Sequence, residues 1–343
     1  MKTIRIANFH VGDKNPVFVV AEAGINHNGS LTIAKKMVDV AKEAGVSCVK
    51  FQTHIANKEM IKTNIRPGNI SKKTLWSIIK NSEFSENQEE QLQKYCKSKK
   101  ILFLSTPFSI DAIYRLEKLK VPAYKIGSGE LTNIPFLEII AKTKKPVILS
   151  TGMSTISEIK SAVKIFKKYK NPLALLQTTS TYPSKYSEIK LGMIEKLKKQ
   201  FNLPVGLSDH SLGIYTSIAA VAKGASIIEK HFTLDQKMPG PDQNFSLNPE
   251  ELKQLVIGCN AVKQSLDGSK TILKNEKPVR KFAEASVVST SEISPGERFT
   301  RNNIGTKRPG TGKILASKYN QILGKKAKKF IKSDKQLTWH DVL

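Results

Sequence analysis

Cysteine, acidic residues and long apolar runs are all scarce in this chain of 343 residues. The three cysteines, Cys48, Cys96 and Cys259, form no CxxC pair, which argues against a disulfide scaffold and fits a reducing compartment. No apolar run approaches the ~18 residues that a membrane helix needs. Residues 1–14 lack the apolar core of a secretory signal. We therefore expect a cytoplasmic protein with no membrane partner.

The scarcity of acidic residues leaves a net charge of +27, from 56 Lys and Arg against 29 Asp and Glu. Such a charge can serve nucleic acid, an anionic membrane or an anionic substrate. The lysines are spread over many helical stretches, with one cluster at 325–332, and no zinc-finger, helix-turn-helix or RNA-binding pattern accompanies them. We interpret the charge as a lysine-rich solvated surface that favours a phosphorylated substrate, and we predict no nucleic-acid partner.

Eight short apolar runs alternate with amphipathic helical stretches up to residue 266. This number and order of strands and helices predicts an α/β fold, the (β/α)₈ TIM barrel. A doubly wound open sheet is the alternative, but no GxGxxG turn follows the first run. The composition then becomes polar and rich in turn residues. The sequence thus predicts a TIM-barrel catalytic domain over 1–266, a linker over 267–284 and a small C-terminal domain over 285–343.

Reactive side chains are concentrated where the predicted strands end, which is where a barrel carries its active site. Lys50 and Lys125 lie inside buried strands, and a buried charge is costly unless it is paired. We expect each lysine to face Glu22, Glu130, or the phosphate or carboxylate of a ligand. Two such lysines beside a run of hydroxyls favour a phosphorylated ligand. The strand-end candidates are Glu22, Lys50, Gln52, Thr106, Lys125, Ser128, Ser150, Thr151, Thr179, Ser180, Tyr182, Ser208, His210, Glu229 and His231.

His210 and His231 end the last two predicted strands, so both imidazoles should open onto one face of the sheet. With Asp209 and Glu229 beside them they form a candidate divalent-metal site, although both histidines can also be purely structural. A strand-borne lysine also allows Schiff-base chemistry, in which a desolvated amine attacks a carbonyl. The two histidines and the hydroxyls favour metal plus phosphate over that chemistry.

Eleven short motifs run in order through nearly the whole chain: AEAGINHNGS, VKFQTH, RPGN, LSTPF, YKIGSGE, ILSTGM, TYP, GLSDHS, EKHFTLD, PGPD and KRPGTG. Together they make the sequence resemble the sialic acid synthase family. Members of that family condense phosphoenolpyruvate with an N-acetyl hexosamine on a TIM barrel that is followed by an antifreeze-like SAF domain. The resemblance implies that His210 and His231 bind Mn²⁺, or another divalent cation such as Mg²⁺ or Co²⁺.

The resemblance also assigns ligand-binding roles. Glu22 and Glu229 would orient hydroxyls or move protons in catalysis. Arg308 would reach the N-acetyl group of a sugar in the barrel of a second subunit, which implies a domain-swapped homodimer. Many relatives have asparagine in place of Ser180 and an aromatic residue in place of Glu284. The phosphoenolpyruvate pocket would comprise Lys50, Thr106, Lys125, Ser128, Ser150, Ser180 and Ser208, and the sugar would meet Glu22, Gln52, Asn69, Tyr182, Glu229, Asp242 and Phe282.

Relatives use different sugars and make sialic, legionaminic or pseudaminic acid. The motifs AEAGINHNG and PGPD point away from the pseudaminic type, and Arg66-Pro67-Gly68-Asn69 resembles the sialic type. We therefore expect a member that makes N-acetylneuraminate from N-acetylmannosamine. The alternative is a legionaminic acid synthase that uses 2,4-diacetamido-2,4,6-trideoxymannose. A non-catalytic barrel that binds nucleic acid through its charge is disfavoured by the retained histidines, strand lysines and Arg308.

Overall fold

The structure is a computed structural model that describes residues 3–66, 73–266 and 268–343. It comprises two compact units, Met1–Asp267 and Gly268–Leu343. The strands are β1 Ile4–Ile6, β2 Phe9–Val11, β3 Phe18–Gly24, β4 Cys48–Thr53, β5 Leu102–Pro107, β6 Tyr124–Ile126, β7 Val147–Ser150, β8 Leu173–Thr178, β9 Val205–Asp209, β10 Ile227–His231, β11 Ser286–Ser289 and β12 Ile304–Lys307. The helices are α1 Leu31–Glu43, α2 Ala56–Glu59, α3 Leu75–Ser82, α4 Glu86–Ser98, α5 Ile110–Lys118, α6 Ile134–Lys142, α7 Ile156–Lys168, α8 Gly192–Phe201, α9 Tyr215–Ala222, α10 Pro249–Ser265 and α11 Glu276–Ala283.

Eight parallel strands, β3 to β10, form the nearly closed barrel that the alternation of strands and helices predicted. Their order is β5-β4-β3-β10-β9-β8-β7-β6, and β5 lies next to β6 where the ring closes. The strands are almost wholly buried because each side chain faces either the barrel interior or the surrounding helices. The predicted TIM-barrel fold is confirmed.

The antiparallel hairpin β1–β2 closes the N-terminal end of the barrel. Ile4, Ile6 and Val11 pack against inward-facing apolar residues such as Phe18 and Ile148. This end of the barrel interior is therefore dry and apolar. Polar side chains inside the barrel are left to the opposite, C-terminal end, where a barrel carries its active site.

Side-chain caps mark the N-terminal ends of several helices. Ser85 and Thr155 cap α4 and α7 through reciprocal hydrogen bonds with the side chain three residues on, and Asn248 does the same for α10. Each such cap satisfies backbone N–H groups that the first helical turn leaves without a partner. Among the described residues, no helix has both the length and the apolarity needed to cross a membrane.

Several elements differ from the sequence-based expectation. The N-terminal segment contains the hairpin β1–β2, and the polar stretch before residue 85 contains α2 and α3, all of them additions to the predicted alternation. Helix α3 buries Ile78 and Ile79 after a Thr74 cap, a pattern that the surrounding lysines and serines obscured. The predicted linker also contains a helix, α11.

The second unit has its own small core. Strands β11 and β12 pair antiparallel, with Ser286 opposite Lys307 and Ser289 opposite Ile304. The apolar core of this unit consists of Val287, Ile293, Phe299, Ile304, Ile314, Ile322, Ala327, Ile331 and Leu337.

Candidate active site

The barrel interior changes from apolar to polar along each strand. On β10, Ile227 faces the apolar end, and the inward-facing side chains that follow at a period of two are Glu229 and His231. The strand register places Glu22 opposite both His231 on β10 and Lys50 on β4. The polar side chains of neighbouring strands thus meet at one level of the barrel.

Two lysines and two glutamates form a buried network at this level. Lys50 Nζ lies 2.7 Å from Glu22 Oε2 and 3.8 Å from Glu229 Oε2. Lys125 Nζ lies 3.3 Å from Glu229 Oε1. Both lysines face anions, as expected for buried cations, but the partner of Lys125 is Glu229 and not Glu130, which bonds to a side chain of its own turn.

Burial and the neighbouring charges shift the pKa values of this network in opposite directions. Burial raises the pKa of Glu22 because Lys50 offsets it only in part and Glu229 adds repulsion. The pKa of Glu229 lies below its ordinary value. Burial acts to raise this pKa, but the positive charges of Lys125 and Lys50 outweigh burial. Burial lowers the pKa of Lys125. Burial also acts to lower the pKa of Lys50, but the carboxylates of Glu22 and Glu229 outweigh it, and the pKa of Lys50 is raised. Glu22 and Lys125 are thus the members whose charged forms are least favoured.

Hydroxyl groups surround the network. Thr106 Oγ1 accepts a hydrogen bond of 3.0 Å from Lys50 Nζ, and Ser208 Oγ donates one of 3.0 Å to Glu229 Oε1. These contacts bring two of the predicted pocket hydroxyls directly to the ion pairs.

Three further serines converge at the ends of neighbouring strands. Ser128 Oγ accepts from the backbone N–H of Gly152 at 3.0 Å. A Cβ on Gly152 would collide with the hydroxyls of Ser128 and Ser180, so the glycine permits their close approach. Ser150 Oγ is buried and has no hydrogen-bond partner among the described residues. A buried hydroxyl without a partner is a donor available to an anionic ligand.

His210 and His231 stand at adjacent strand ends with ring centroids 5.5 Å apart. His210 Nδ1 lies 2.7 Å from the carbonyl oxygen of Thr179, to which it donates, so Nε2 keeps its lone pair. His231 Nδ1 is buried and lacks a hydrogen-bond partner within the described part of the chain. Burial lowers the pKa of His210 to about 4 and that of His231 well below its ordinary value. Both rings are therefore neutral, which is the form that binds a metal ion.

The donor set fits a metal site that is completed by ligands from outside the protein. Across residues 3–66, 73–266 and 268–343, no group of three or more His, Cys, Asp or Glu side chains could hold a metal ion. Asp242 Oδ2 lies 3.8 Å from His231 Nδ1. Burial, with the nearby charge of Glu22, raises the pKa of Asp242 to about 7. Two imidazoles with open positions beside them fit a catalytic metal site better than a closed structural one.

Asp209, next to His210 in the sequence, does not face the site. Asp209 alternates with Ser208 and His210 along β9, so its side chain faces the helix layer. There its carboxylate accepts hydrogen bonds from Ser217 and two neighbouring hydroxyls and pairs with Lys230 at 3.1 Å. The pair lies behind the histidines.

A cavity of about 380 Å³ adjoins the histidines. Its lining includes four residues expected at the site, Gln52, Tyr182, His231 and Asp242, and the Tyr182 ring lies 4.2 Å from the His210 ring, centroid to centroid. The sequence assigned no site role to the remaining wall residues, which are Ile25, His54, Glu59, Met60, Leu75, Ile78, Ile79, Phe108 and Pro241. His54 continues the alternation of Lys50 and Gln52 at the end of β4, a signal that could have identified it.

A larger cavity of about 690 Å³ lies elsewhere on the barrel. It is lined by Thr151, Thr179 and Ser180 among others, but by neither histidine nor any member of the ion network. The smaller cavity is therefore the candidate substrate site.

Three predicted sugar contacts either belong to the second unit or lie outside the described residues. Phe282 and Arg308 belong to the second unit, where both side chains are exposed. Asn69 lies outside the described residues, together with Pro67 and Gly68. The residues that the barrel itself brings together are the two histidines, the ion network, the hydroxyls and the cavity wall.

These features define a class of protein. A barrel with a buried ion network, neutral histidines and a cavity at its strand ends is a TIM-barrel enzyme, and the lysines and hydroxyls suit a small anionic substrate.

Comparison with known proteins identifies the family. The chain matches the NeuB family over residues 37–271 and the SAF domain over 284–343. It is 40% identical over 326 residues to the N,N'-diacetyllegionaminic acid synthase of Campylobacter jejuni subsp. jejuni serotype O:2, covering 92% of this chain and 97% of that protein. It is 35% identical over 303 residues to the human N-acetylneuraminate-9-phosphate synthase, covering 87% and 84%.

A solved structure agrees with this assignment. The crystal structure of the N-acetylneuraminic acid (sialic acid) synthetase of Leptospira borgpetersenii serovar Hardjo-bovis in complex with citrate superposes with a TM-score of 0.74 and 36% identity, covering 81% of this chain and 95% of that one. The chain belongs to the NeuB family of sialic acid synthases, and the resemblance seen in the sequence is confirmed.

Proposed function

We propose that this chain condenses phosphoenolpyruvate with an N-acetylated hexosamine and water, forming a nonulosonic acid and releasing phosphate. The observation that carries the proposal is the position of the buried Lys50–Glu22 and Lys125–Glu229 pairs beside two neutral histidines in one barrel interior. A cationic pocket next to a candidate metal site suits one anionic and one carbonyl substrate.

Phosphoenolpyruvate takes the hydroxyl-lined part of the site. Lys50 and Lys125 supply charge-assisted hydrogen bonds, and the unpartnered Ser150 hydroxyl donates to a phosphate or carboxylate oxygen. Burial raises the pKa of Glu22, so uptake of a proton by this carboxyl would offset part of the negative charge that the anion brings into the network. Thr106, Ser128, Ser180 and Ser208 complete the set of hydroxyls.

The sugar takes the 380 Å³ cavity with its aldehyde toward His210 and His231. These two histidines would hold Mn²⁺, or another divalent cation, and the bound ion would polarise the aldehyde as a Lewis acid. His210 is held for this role by its hydrogen bond to the Thr179 carbonyl, which fixes the ring tautomer. Tyr182 packs against His210 and limits the access of water to that side of the ring.

The reaction balances without a further reagent. C3 of phosphoenolpyruvate attacks C1 of the aldehyde, which forms the carbon–carbon bond and turns the aldehyde oxygen into a hydroxyl after protonation. C2 becomes cationic and is captured by water, after which phosphate leaves and C2 becomes a ketone. Glu229, between Lys50 and Lys125, is placed to move a proton at C2, whereas Glu22, next to Gln52, is placed to orient a sugar hydroxyl.

We propose N-acetylmannosamine as the sugar. The polar side chains of Gln52 and Glu59 on the cavity wall support this choice, since they offer partners to the hydroxyls of an open-chain hexosamine. The second candidate is 2,4-diacetamido-2,4,6-trideoxymannose. An apolar wall that includes Met60 and Leu75 suits its methyl groups, and the Campylobacter relative named above is a legionaminic acid synthase.

We further propose a homodimer in which Arg308, with Phe282 nearby, reaches the N-acetyl group of the sugar in the partner barrel. Their exposure on the second unit supports this role, because an arginine that serves another subunit must be accessible to it. Arg308→Ala would then raise the KM for the sugar and leave the KM for phosphoenolpyruvate near that of the wild type.

Phosphate release from phosphoenolpyruvate tests the proposal. The assay contains Mn²⁺ and either N-acetylmannosamine, the diacetamido sugar or no sugar. We expect release that depends on a sugar, with N-acetylmannosamine preferred. A preference for the diacetamido sugar would select the second candidate. Borohydride trapping of a covalent adduct at Lys50 or Lys125 would instead indicate Schiff-base chemistry.

A further inference from the structure

A chain of hydrogen bonds leads from the buried ion network to the wall of the sugar cavity. Gln52 Nε2 donates to Glu22 Oε1 at 2.8 Å, and Gln52 Oε1 lies 2.9 Å from His54 Nε2. On the other side of the ring, His54 Nδ1 lies 2.9 and 3.1 Å from the two carboxylate oxygens of Glu59. Gln52, His54 and Glu59 all line the cavity, yet the sequence pointed only to Gln52.

The partners of His54 orient the hydrogen bonds of this chain. A carboxylate oxygen can only accept, so the Nδ1–H of His54 donates to Glu59. In the structure the Gln52 amide turns its oxygen toward His54 Nε2 and its nitrogen toward Glu22. A flipped amide would turn its oxygen toward the Glu22 carboxylate, which is a repulsive contact when that carboxyl is ionised.

His54 and Glu59 are held firmly in place. The His54 ring stacks on Phe108 with centroids 4.5 Å apart and an interplanar angle of 16°. The side chains of His54 and Glu59 are only 2% and 5% exposed. Because both partners are packed, the orientation of the Gln52 amide is set by the protein and not by solvent.

We propose that His54 and Glu59 are positioning residues for the acceptor sugar, which act by locking the amide of Gln52. An amide nitrogen carries two hydrogens, and Glu22 accepts one of them, so the other is available to a sugar hydroxyl in the cavity. The lock also keeps Glu22 beside the sugar as an acceptor. This inference rests on the proposed function. His54 reaches Lys50 only through Gln52 and Glu22, and within the described residues no contact joins His54 or Glu59 to Lys125 or the serine hydroxyls, so the effect should be larger on the sugar than on phosphoenolpyruvate.

Four variants test whether His54 and Glu59 hold the Gln52 amide in its orientation. His54→Phe keeps the ring and its stack on Phe108 but removes both hydrogen bonds. His54→Gln restores a donor for Gln52 Oε1, and Glu59→Gln keeps the shape while removing the carboxylate charge. His10→Phe is the matched control, since His10 is an exposed residue of β2 at the opposite end of the barrel. Steady-state kinetics with the sugar that the wild type uses, and with phosphoenolpyruvate, give separate KM values, and thermal melts confirm folding.

We expect His54→Phe to raise the KM for the sugar about tenfold, because the sugar then loses about one well-oriented hydrogen bond. The KM for phosphoenolpyruvate should stay within about twofold of the wild type, and His54→Gln should recover most of the loss. Glu59→Gln, which tests the lock if His54→Phe does not fold, should give an intermediate sugar KM.

Two results would overturn the inference alone: an unchanged sugar KM in a folded His54→Phe enzyme, or an equal rise in both KM values. A wild type that releases no phosphate with any sugar would overturn the proposed function, and this inference with it.

Discussion

Asp209 and Lys230 form an ion pair, 3.1 Å apart, on the outer faces of β9 and β10, directly behind His210 and His231. Each side chain is at most 1% exposed. The pair joins the two strands that carry the histidines and attaches them to α9 through Thr216 and Ser217. The spacing of the candidate metal ligands thus depends on a contact outside the site.

Breaking this pair should destabilise the whole barrel. Asp209→Asn leaves the Lys230 ammonium buried without a counterion, which typically costs about 3–5 kcal/mol. Urea unfolding monitored by circular dichroism measures the change. Lys94→Met is the control, since Lys94 pairs with Glu90 on the surface and its loss should cost less than about 1 kcal/mol. Equal losses in the two variants would show that the Asp209–Lys230 contact does not contribute to stability.

Lys50→Met should weaken phosphoenolpyruvate binding. Lys50 is the only cation within 4 Å of Glu22 among the described residues, and it is also the candidate partner of the substrate anion. Loss of one charge-assisted contact corresponds to roughly 10- to 100-fold in affinity. Isothermal titration with phosphoenolpyruvate measures this, and Lys94→Met serves again as the control. An affinity within twofold of the wild type would exclude Lys50 from the binding site.

The same variant should also unfold more easily, because it leaves Glu22 buried without its counterion. The double variant Glu22→Gln, Lys50→Met removes the stranded charge and should regain part of the loss. Denaturant unfolding of the single and double variants checks this. A double variant less stable than Lys50→Met would mean that the carboxylate, and not the ion pair, is the stabilising element.

Glu89 on α4 should make stability depend on pH. Burial raises its pKa to about 7, although a hydrogen bond from Thr53 and the charge of Arg115 act against the shift. The unfolded carboxyl titrates near 4.5. Between these values the native state holds more protons than the unfolded state, so the free energy of unfolding falls as pH rises from about 4.5 to about 7. Above pH 7 the effect is complete.

Comparison with Glu89→Gln isolates this effect. The stability of the wild type relative to Glu89→Gln should fall by a few kcal/mol across that range, at about 1.4 kcal/mol per pKa unit. Unfolding at a series of pH values measures the difference, and the exposed neighbour Glu90→Gln should show no such trend. A difference that stays constant or grows with pH would contradict the proposed burial of Glu89 as a neutral acid.

Chelation tests the role of the histidines. Phosphate release should fall at least about 100-fold after treatment with EDTA and return when Mn²⁺ is added. His210→Ala and His231→Ala should lose both the activity and the binding of Mn²⁺ seen by electron paramagnetic resonance. Full activity in EDTA would show that catalysis needs no metal ion. Unaltered Mn²⁺ binding in His210→Ala would show that His210 is not a metal ligand.

The strands and helices of the barrel could be predicted from the sequence, because apolar residues repeat with a different spacing in the two kinds of element. The eight strands of the barrel correspond to the eight short apolar runs of the sequence. The position of Asp209 could also have been deduced, because a residue between Ser208 and His210 must face the opposite side of the strand. The sequence pattern contained that information.

The cavity wall was beyond such reasoning. Glu59, Leu75 and Ile78 come from α2 and α3, in a polar stretch whose path the alternation of strands and helices does not set. The partner of Lys125 was missed for a related reason. Glu130 is near in sequence, whereas Glu229 is brought to Lys125 only by closure of the barrel. Contacts between distant segments depend on the packed structure.

The most direct test of the central claim is the formation of the carbon–carbon bond. N-acetylmannosamine labelled with ¹³C at C1 is incubated with phosphoenolpyruvate labelled with ¹³C at C3, Mn²⁺ and the wild-type protein, and the mixture is followed by NMR. We expect a one-bond ¹³C–¹³C coupling that grows in step with phosphate release and is absent with His210→Ala. Phosphate release without that coupling, with this sugar and with the labelled diacetamido sugar, would contradict it.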